Sequence, residues 1–331
     1  MPKPRSSQVA LDATPYYHCV SRCVRRAFLC GVDQYTNISY EHRRGWIEDK
    51  LLTLPNTFTI DVCAYAIMSN HYHVVFHVDQ AAAATLSPLD VVNRWHQLFN
   101  GNDLSQRFAR HEPLSEAEKI VLNAHITTWR ERLSSISWFM RVLNESIARQ
   151  ANEEDKCTGS FWEGRFKSQA LLDEQALAAC MAYVDLNPLR ACMANTPESS
   201  DYTSAQKRIN HARTQAAPNS IASQKNTLFP FAGNPRNDMP KGLPFKLTDY
   251  LSLLDETARI QRDDKRGYMS SSTSPILDRL DLSEKVWLEI SQQFEERFKT
   301  FAGNPENIRQ IAKLANYQRA PGIANAAPYY T

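Results

Sequence analysis

The chain has 331 residues, of which 43% are hydrophobic and 22% charged, with a formal net charge of +2. That balance belongs to a folded protein with room for one large domain or two modest ones, and it is too nearly neutral to argue for nucleic acid by itself. No apolar run is long enough to span a bilayer, and no signal-peptide core follows Met1-Pro2-Lys3-Pro4-Arg5, so no membrane partner and a cytoplasmic location are expected.

In chain order, YYHCVSRC (16–23) reads as a first strand, with Arg22, Arg25 and Arg26 at its end as candidate phosphate contacts. The spacing of apolar residues predicts a helix over 37–54, stopped by Pro55. Residues 58–68 and 71–78 read as two strands joined at Ser69-Asn70, a hairpin. A short helix is expected over 89–99, and 100–134 reads as a polar helical insertion. Residues 135–152 have one apolar face, made of Ile136, Phe139, Met140, Leu143 and Ile147. A Gly-punctuated turn, TGSFWEGRFKSQA, then leads into a strand. Within it Trp162, Arg165 and Lys167 form a candidate single-strand platform, an aromatic ring beside positive charge. A helix over 173–186 ends near Asn187, because the residue before Pro188 is pushed away from helical geometry. The Ser-, Asn- and Pro-rich stretch 206–245 reads as a linker, and 246–331 as a small helical module closing in a loose tail. The seven cysteines show no paired framework and read as reduced structural thiols.

The chemistry concentrates in HYHVVFHV (71–78). Strand side chains alternate faces, so His71 and His73 project together, and neutral imidazoles suit a divalent metal. Two ligands do not complete a site. Tyr183 and Asn187 lie four apart at the end of a helix and share a face, which offers a nucleophilic hydroxyl and an amide-oxygen ligand. Set against the two histidines, that face would hold a metal and a phosphate for in-line attack.

Three segments, MSNHYHVVF (68–76), GSFWEGRFK (159–167) and YVDLNPLRA (183–191), occur in that order. Together they resemble the single-tyrosine HUH transposases of the IS200/IS605 type, and more nearly their REP-associated tyrosine transposase branch. The resemblance spans roughly 10–205. It implies an α+β fold with a ferredoxin-like or RRM-like core, a central antiparallel sheet and flanking helices. It implies a catalytic domain over 1–205 that acts on single-stranded, hairpin-bearing DNA near the nucleoid, as a monomer or homodimer. By motif position, His71, His73 and Asn187 would ligate Mg2+ or Mn2+, and Tyr183 would become a 5′-phosphotyrosine. The rival readings are a non-catalytic DNA-binding regulator and a metal phosphohydrolase without a covalent step.

Overall fold

The computed structural model describes residues 11–24, 29–32, 37–224, 227–260 and 275–329. Its elements run β1 Tyr16–Arg22, α1 Arg43–Thr53, β2 Ile60–Ile67, β3 His71–Val78, α2 Gln80–Thr85, α3 Pro88–His96, α4 Asp103–Ala109, α5 Glu116–Leu133 and α6 Ile136–Glu154. There follow β4 Lys167–Leu171, α7 Glu174–Asp185, α8 Asn187–Arg190, α9 Ser204–Ala212, α10 Leu247–Ile260, α11 Pro275–Arg279, α12 Glu284–Arg297, β5 Phe301–Ala302, α13 Pro305–Leu314 and α14 Ile323–Ala326. The fold is α+β, built on a five-stranded sheet of order β2-β3-β1-β4-β5. Neighbours among β1 to β4 are antiparallel, and β5 adds to β4 in parallel.

Alternation in β3 sorts its side chains between two covered faces. Tyr72, Val74 and Phe76 pair with Ser21, Cys19 and Tyr17. This face meets α1 and α6: Phe76 packs on Phe139, the Tyr72 hydroxyl donates to Asn144 Oδ1, and the Tyr65 hydroxyl of β2 donates to Glu48. His71, His73 and Val75 pair with Arg22, Val20 and His18, and lie on the opposite face. α7 covers that face, packing against β2, β3 and β4. Both faces are buried, so the middle of the strand reads as nearly continuous apolar sequence rather than a clean alternation.

α7 (EQALAACMAYVD) is buried almost all round, from Ala176 to Ala182 and again at Val184 and Asp185. A helix with no solvent face needs a neighbour on each side. The sheet is one and α12 the other. Asp173 caps the helix, its carboxylate accepting Ala176 N–H at 2.8 Å, and its second oxygen accepts Asn304 N–H at 2.7 Å. One carboxylate therefore holds both the start of α7 and the turn after β5. At the far end Asp185 accepts from the Ser204 hydroxyl, from Ala205 N–H at 3.0 Å and from the Tyr250 hydroxyl at 2.7 Å. Burial raises the Asp185 carboxyl above the ordinary range, while these donors and Arg208 oppose the shift.

The insertion is helical and forms a small core together with α3. Val91, Val92 and Trp95 of α3 meet Leu122, Ile126, Trp129 and Leu133 of α5. The stretch read as a linker is packed rather than loose. Phe229 N–H donates to Val62 O at 2.8 Å, and Arg208 Nη2 reaches Cys63 O and Phe229 O at 2.8 and 3.0 Å. The C-terminal segment docks on α7 through α12 and on the sheet through β5, and the stretch read as a loose tail is held by contacts such as the Tyr329 hydroxyl donating to Glu289 at 2.8 Å. The sequence pattern misses this docking because two-residue β5 is too short to show a period. Among the described residues, no helix is long and apolar enough to cross a membrane.

Candidate metal and nucleophile site

The two motifs read separately in the sequence meet at His73. Asn187 Nδ2 lies 3.0 Å from His73 Nε2, and the Tyr183 ring stands edge-on to His73 with centroids 5.7 Å apart. The His71 and His73 rings are 4.8 Å apart. Helix α7 ends at Asp185, and Pro188 opens the short α8, so the chain turns at Leu186 and carries Asn187 down onto the strand.

A residue not singled out in the sequence completes the inner layer. His18 of β1 is buried, and its Nε2 lies 3.0 Å from His73 Nδ1 with the rings nearly parallel. The donors fix the tautomers. The Asn187 amide nitrogen can only donate, so His73 Nε2 accepts. His73 Nδ1 then carries the proton and donates to His18 Nε2. His18 Nδ1–H points on to Gln169 Oε1 at 3.4 Å. His71 is fixed in the same way, Nδ1–H donating to Asn70 Oδ1 at 2.6 Å. His71 therefore presents its Nε2 lone pair, while the His73 Nε2 lone pair is engaged by the Asn187 amide nitrogen.

Their charge state agrees with that role. Burial pushes His71 down to about 4, helped by Arg22 and His18 and opposed by Glu295. Burial holds His73 well below the ordinary histidine range, with His18, His71, Arg190 and Arg22 adding to it. Burial also lowers His18, against Glu295 and Gln169. Neutral, oriented imidazoles are the form a metal takes, and an N–H donation from the second ring nitrogen is the usual support. With the Asn187 amide turned so that Oδ1 rather than Nδ2 faces His73 Nε2, His71 Nε2, His73 Nε2 and Asn187 Oδ1 would fit a hard divalent cation with open positions. A second grouping is His18, His73 and Glu295, whose ligand atoms lie within 4.8 Å of one another. There, His18 Nε2 and His73 Nδ1 already satisfy each other.

Tyr183 is half-buried between sheet and α12. Its hydroxyl donates to Glu295 Oε2 at 3.4 Å, and its ring tilts against Phe294 at 6.0 Å. The Arg190 guanidinium lies over the ring, 4.3 Å from the centroid. Burial, then Glu295, raises the phenol above the ordinary tyrosine range, and Arg190 opposes them. Neither His18 nor Glu295 was found by sequence reasoning. His18 carried a usable signal, since it sits in a strand-like octet at a position of the right parity. Glu295 carried none, being one acid among several on an amphipathic helix.

The candidate DNA contacts divide. Arg22 is exposed at the end of β1 and pairs with His71. Lys167, also exposed, pairs with Val20, which in turn pairs with His73. Both cations thus belong to the sheet face that carries the histidines. Arg165 is exposed in the turn before β4. Trp162 is placed differently from the expected platform: it is 9% exposed, stands edge-on to Tyr72 and Phe161, and donates Nε1–H to Asn144 O at 2.8 Å. An indole spent on core packing and a backbone carbonyl has no open face to offer a base. Arg25 and Arg26 lie outside the described residues.

No protein-family model matches the chain, and no curated protein matches it. A solved structure of a REP-associated tyrosine transposase bound to a REP hairpin aligns with 64% of this chain and 92% of that one, at 7% identity and a TM-score of 0.35. A likeness that slight carries no argument, and the chemistry of the site has to come from the chain's own residues.

Proposed function

We propose that this chain is a metal-dependent nicking and strand-transfer enzyme for single-stranded DNA, a single-tyrosine HUH transposase of the REP-associated kind whose substrate carries a hairpin. The observation that carries the reading is the meeting of HxH and YxxxNP at one point: Asn187 is 3.0 Å from His73, and Tyr183 packs on the same ring. The order β2-β3-β1-β4, with a helix between β1 and β2 and α6 before β4, supports a ferredoxin-like core.

Tyr183 Oη attacks the scissile phosphorus, the bond from phosphorus to O3′ breaks, and the products are a 5′-phosphotyrosine and a free 3′-hydroxyl. His71, His73 and Asn187 would hold Mg2+ or Mn2+, and the chemistry supplied there is withdrawal of charge from the phosphate oxygens. Arg22 and Lys167 on the same face would position the neighbouring phosphates. Arg190 over the ring favours negative charge growing on the phenol oxygen.

The test is incubation of the full chain with hairpin-bearing single-stranded oligonucleotides and Mn2+, followed by denaturing electrophoresis. The expected result is a tyrosine-linked oligonucleotide with wild type and none with Tyr183→Phe, which should still bind the DNA. Cleavage without an adduct would support the phosphohydrolase reading, and binding without cleavage the regulator.

A further inference from the structure

Attack by a phenol oxygen releases a proton, and something must accept it. The lone pairs of the two histidines packed against the Tyr183 ring are already taken. His73 Nε2 accepts from Asn187, and His18 Nε2 accepts from His73. The Tyr183 hydroxyl donates to Glu295 Oε2 at 3.4 Å, and the Glu295 carboxylate lies within 4.8 Å of ring nitrogens of His18 and His73.

The chain aims Glu295 deliberately. Helix α12 has non-helical dihedrals at Gln293 (φ −117°, ψ 27°), and the turn beyond that kink carries Phe294 and Glu295. Kinks of this sort arise where a side chain enters the helix ladder. Here Arg190 Nη1 donates to Ser291 O at 3.3 Å, one turn before Glu295. The same guanidinium donates to Tyr183 O through Nη2 and covers the Tyr183 ring. Phe294, buried, packs its ring 6.0 Å from Tyr183 and 6.4 Å from His18, closing the apolar side of the pocket. The C-terminal segment thus presents one carboxylate to the phenol proton and one ring to its flank.

Resting on the function proposed above, we infer that Glu295, supplied by the C-terminal segment, is the general base for Tyr183. Glu295 Oε2 takes the hydroxyl proton as Oη bonds to phosphorus, and the departing O3′ takes a proton from water. In the reverse step, a 3′-hydroxyl attacks the phosphotyrosine and gives up its proton to water, the bond from phosphorus to Oη breaks, and protonated Glu295 returns its proton to the leaving Oη. The geometry asks for a carboxylate at this position, and the sequence outside the HxH and YxxxNP motifs supplies it.

The test compares wild type, Glu295→Gln, Glu295→Ala and Tyr183→Phe as full-length proteins. An adduct with wild type and none with Tyr183→Phe establishes the underlying reading; its absence from wild type sinks that reading first. With it in place, Glu295→Gln should slow adduct formation by about 100-fold or more at unchanged DNA affinity, the usual weight of a general base. Added formate should restore part of the lost rate to Glu295→Ala. Two measurements need no DNA. At pH 7, with ζ-13C-tyrosine, the Tyr183 resonance should move in Glu295→Gln, and Mn2+ affinity by calorimetry should stay within a few-fold of wild type. An unmoved resonance, an unchanged rate, or Mn2+ binding that collapses with the carboxylate would overturn the assignment, the last by making Glu295 a ligand.

Discussion

The Nδ1 proton of His73 is donated to His18 Nε2 across 3.0 Å, inside a core where neither ring reaches water. That bond decides which nitrogen of His73 faces outward. It also ties β3 to β1 through side chains, beyond the ladder between their backbones.

Removing His18 should therefore loosen the metal site without removing a ligand. His18→Ala is expected to weaken Mn2+ binding by roughly 10- to 100-fold, the cost typical of a missing supporting partner. Calorimetric titration checks this, and His18→Gln, which can still accept a hydrogen bond, should recover part of the loss.

Arg22 and Lys167 sit on the histidine face at neighbouring strand positions. Converting either to Ala should weaken single-stranded DNA binding about equally for all sequences. Each cation removed from a phosphate should also flatten the plot of log affinity against log salt by roughly 0.7. Fluorescence anisotropy at several salt concentrations measures both. A loss confined to one sequence would assign these cations to base recognition instead.

Trp162 offers a direct comparison between a core residue and a DNA platform. With its indole buried and its N–H spent on Asn144 O, Trp162→Ala should destabilise the fold by about 3–5 kcal/mol in urea denaturation. Trp162→Phe should leave DNA affinity unchanged while costing stability. A base-stacking residue would show the opposite pattern.

Gly303 follows β5 at φ +151°, and an added Cβ would stand 2.8 Å from both Leu172 Cβ and Asp173 Oδ2. Gly303→Ala should cost about 1–3 kcal/mol, the range for strained backbone and overpacking. Amide exchange should report where the damage lies. The Ala170 and Leu172 amides, which donate to Thr300 O and Ala302 O, should lose protection before those of β1 or β3.

Legibility of the sequence followed the range of the signal. Strand β3 occupies 71–78 and α7 ends beside Pro188, as local pattern required, because alternation and the proline restriction act within a few residues. The meeting of Tyr183 and Asn187 with His73 was readable because two compact motifs each carried half of it. His18 was passed over as an ordinary strand residue, although its parity in YYHCVSRC was open to inspection. Trp162 read as a platform because an aromatic beside Arg165 and Lys167 looks alike whether buried or exposed. Glu295 and β5 were out of reach. Their meaning depends on contacts more than a hundred residues away, such as Tyr183 with Glu295 at a separation of 112.

The pairing of Phe301 with Ala170 sets an order of events during synthesis. A nascent polypeptide displays His71, His73, Tyr183 and Asn187 long before the ribosome reaches Glu295. Contacts of such separation close late, since the loop between them must be ordered before they reward it. Until then the tyrosine helix lacks its second neighbour and the phenol lacks its carboxylate. On the function proposed above, a chain without α12 would hold the two histidines, Tyr183 and Asn187 but lack the carboxylate that faces the phenol.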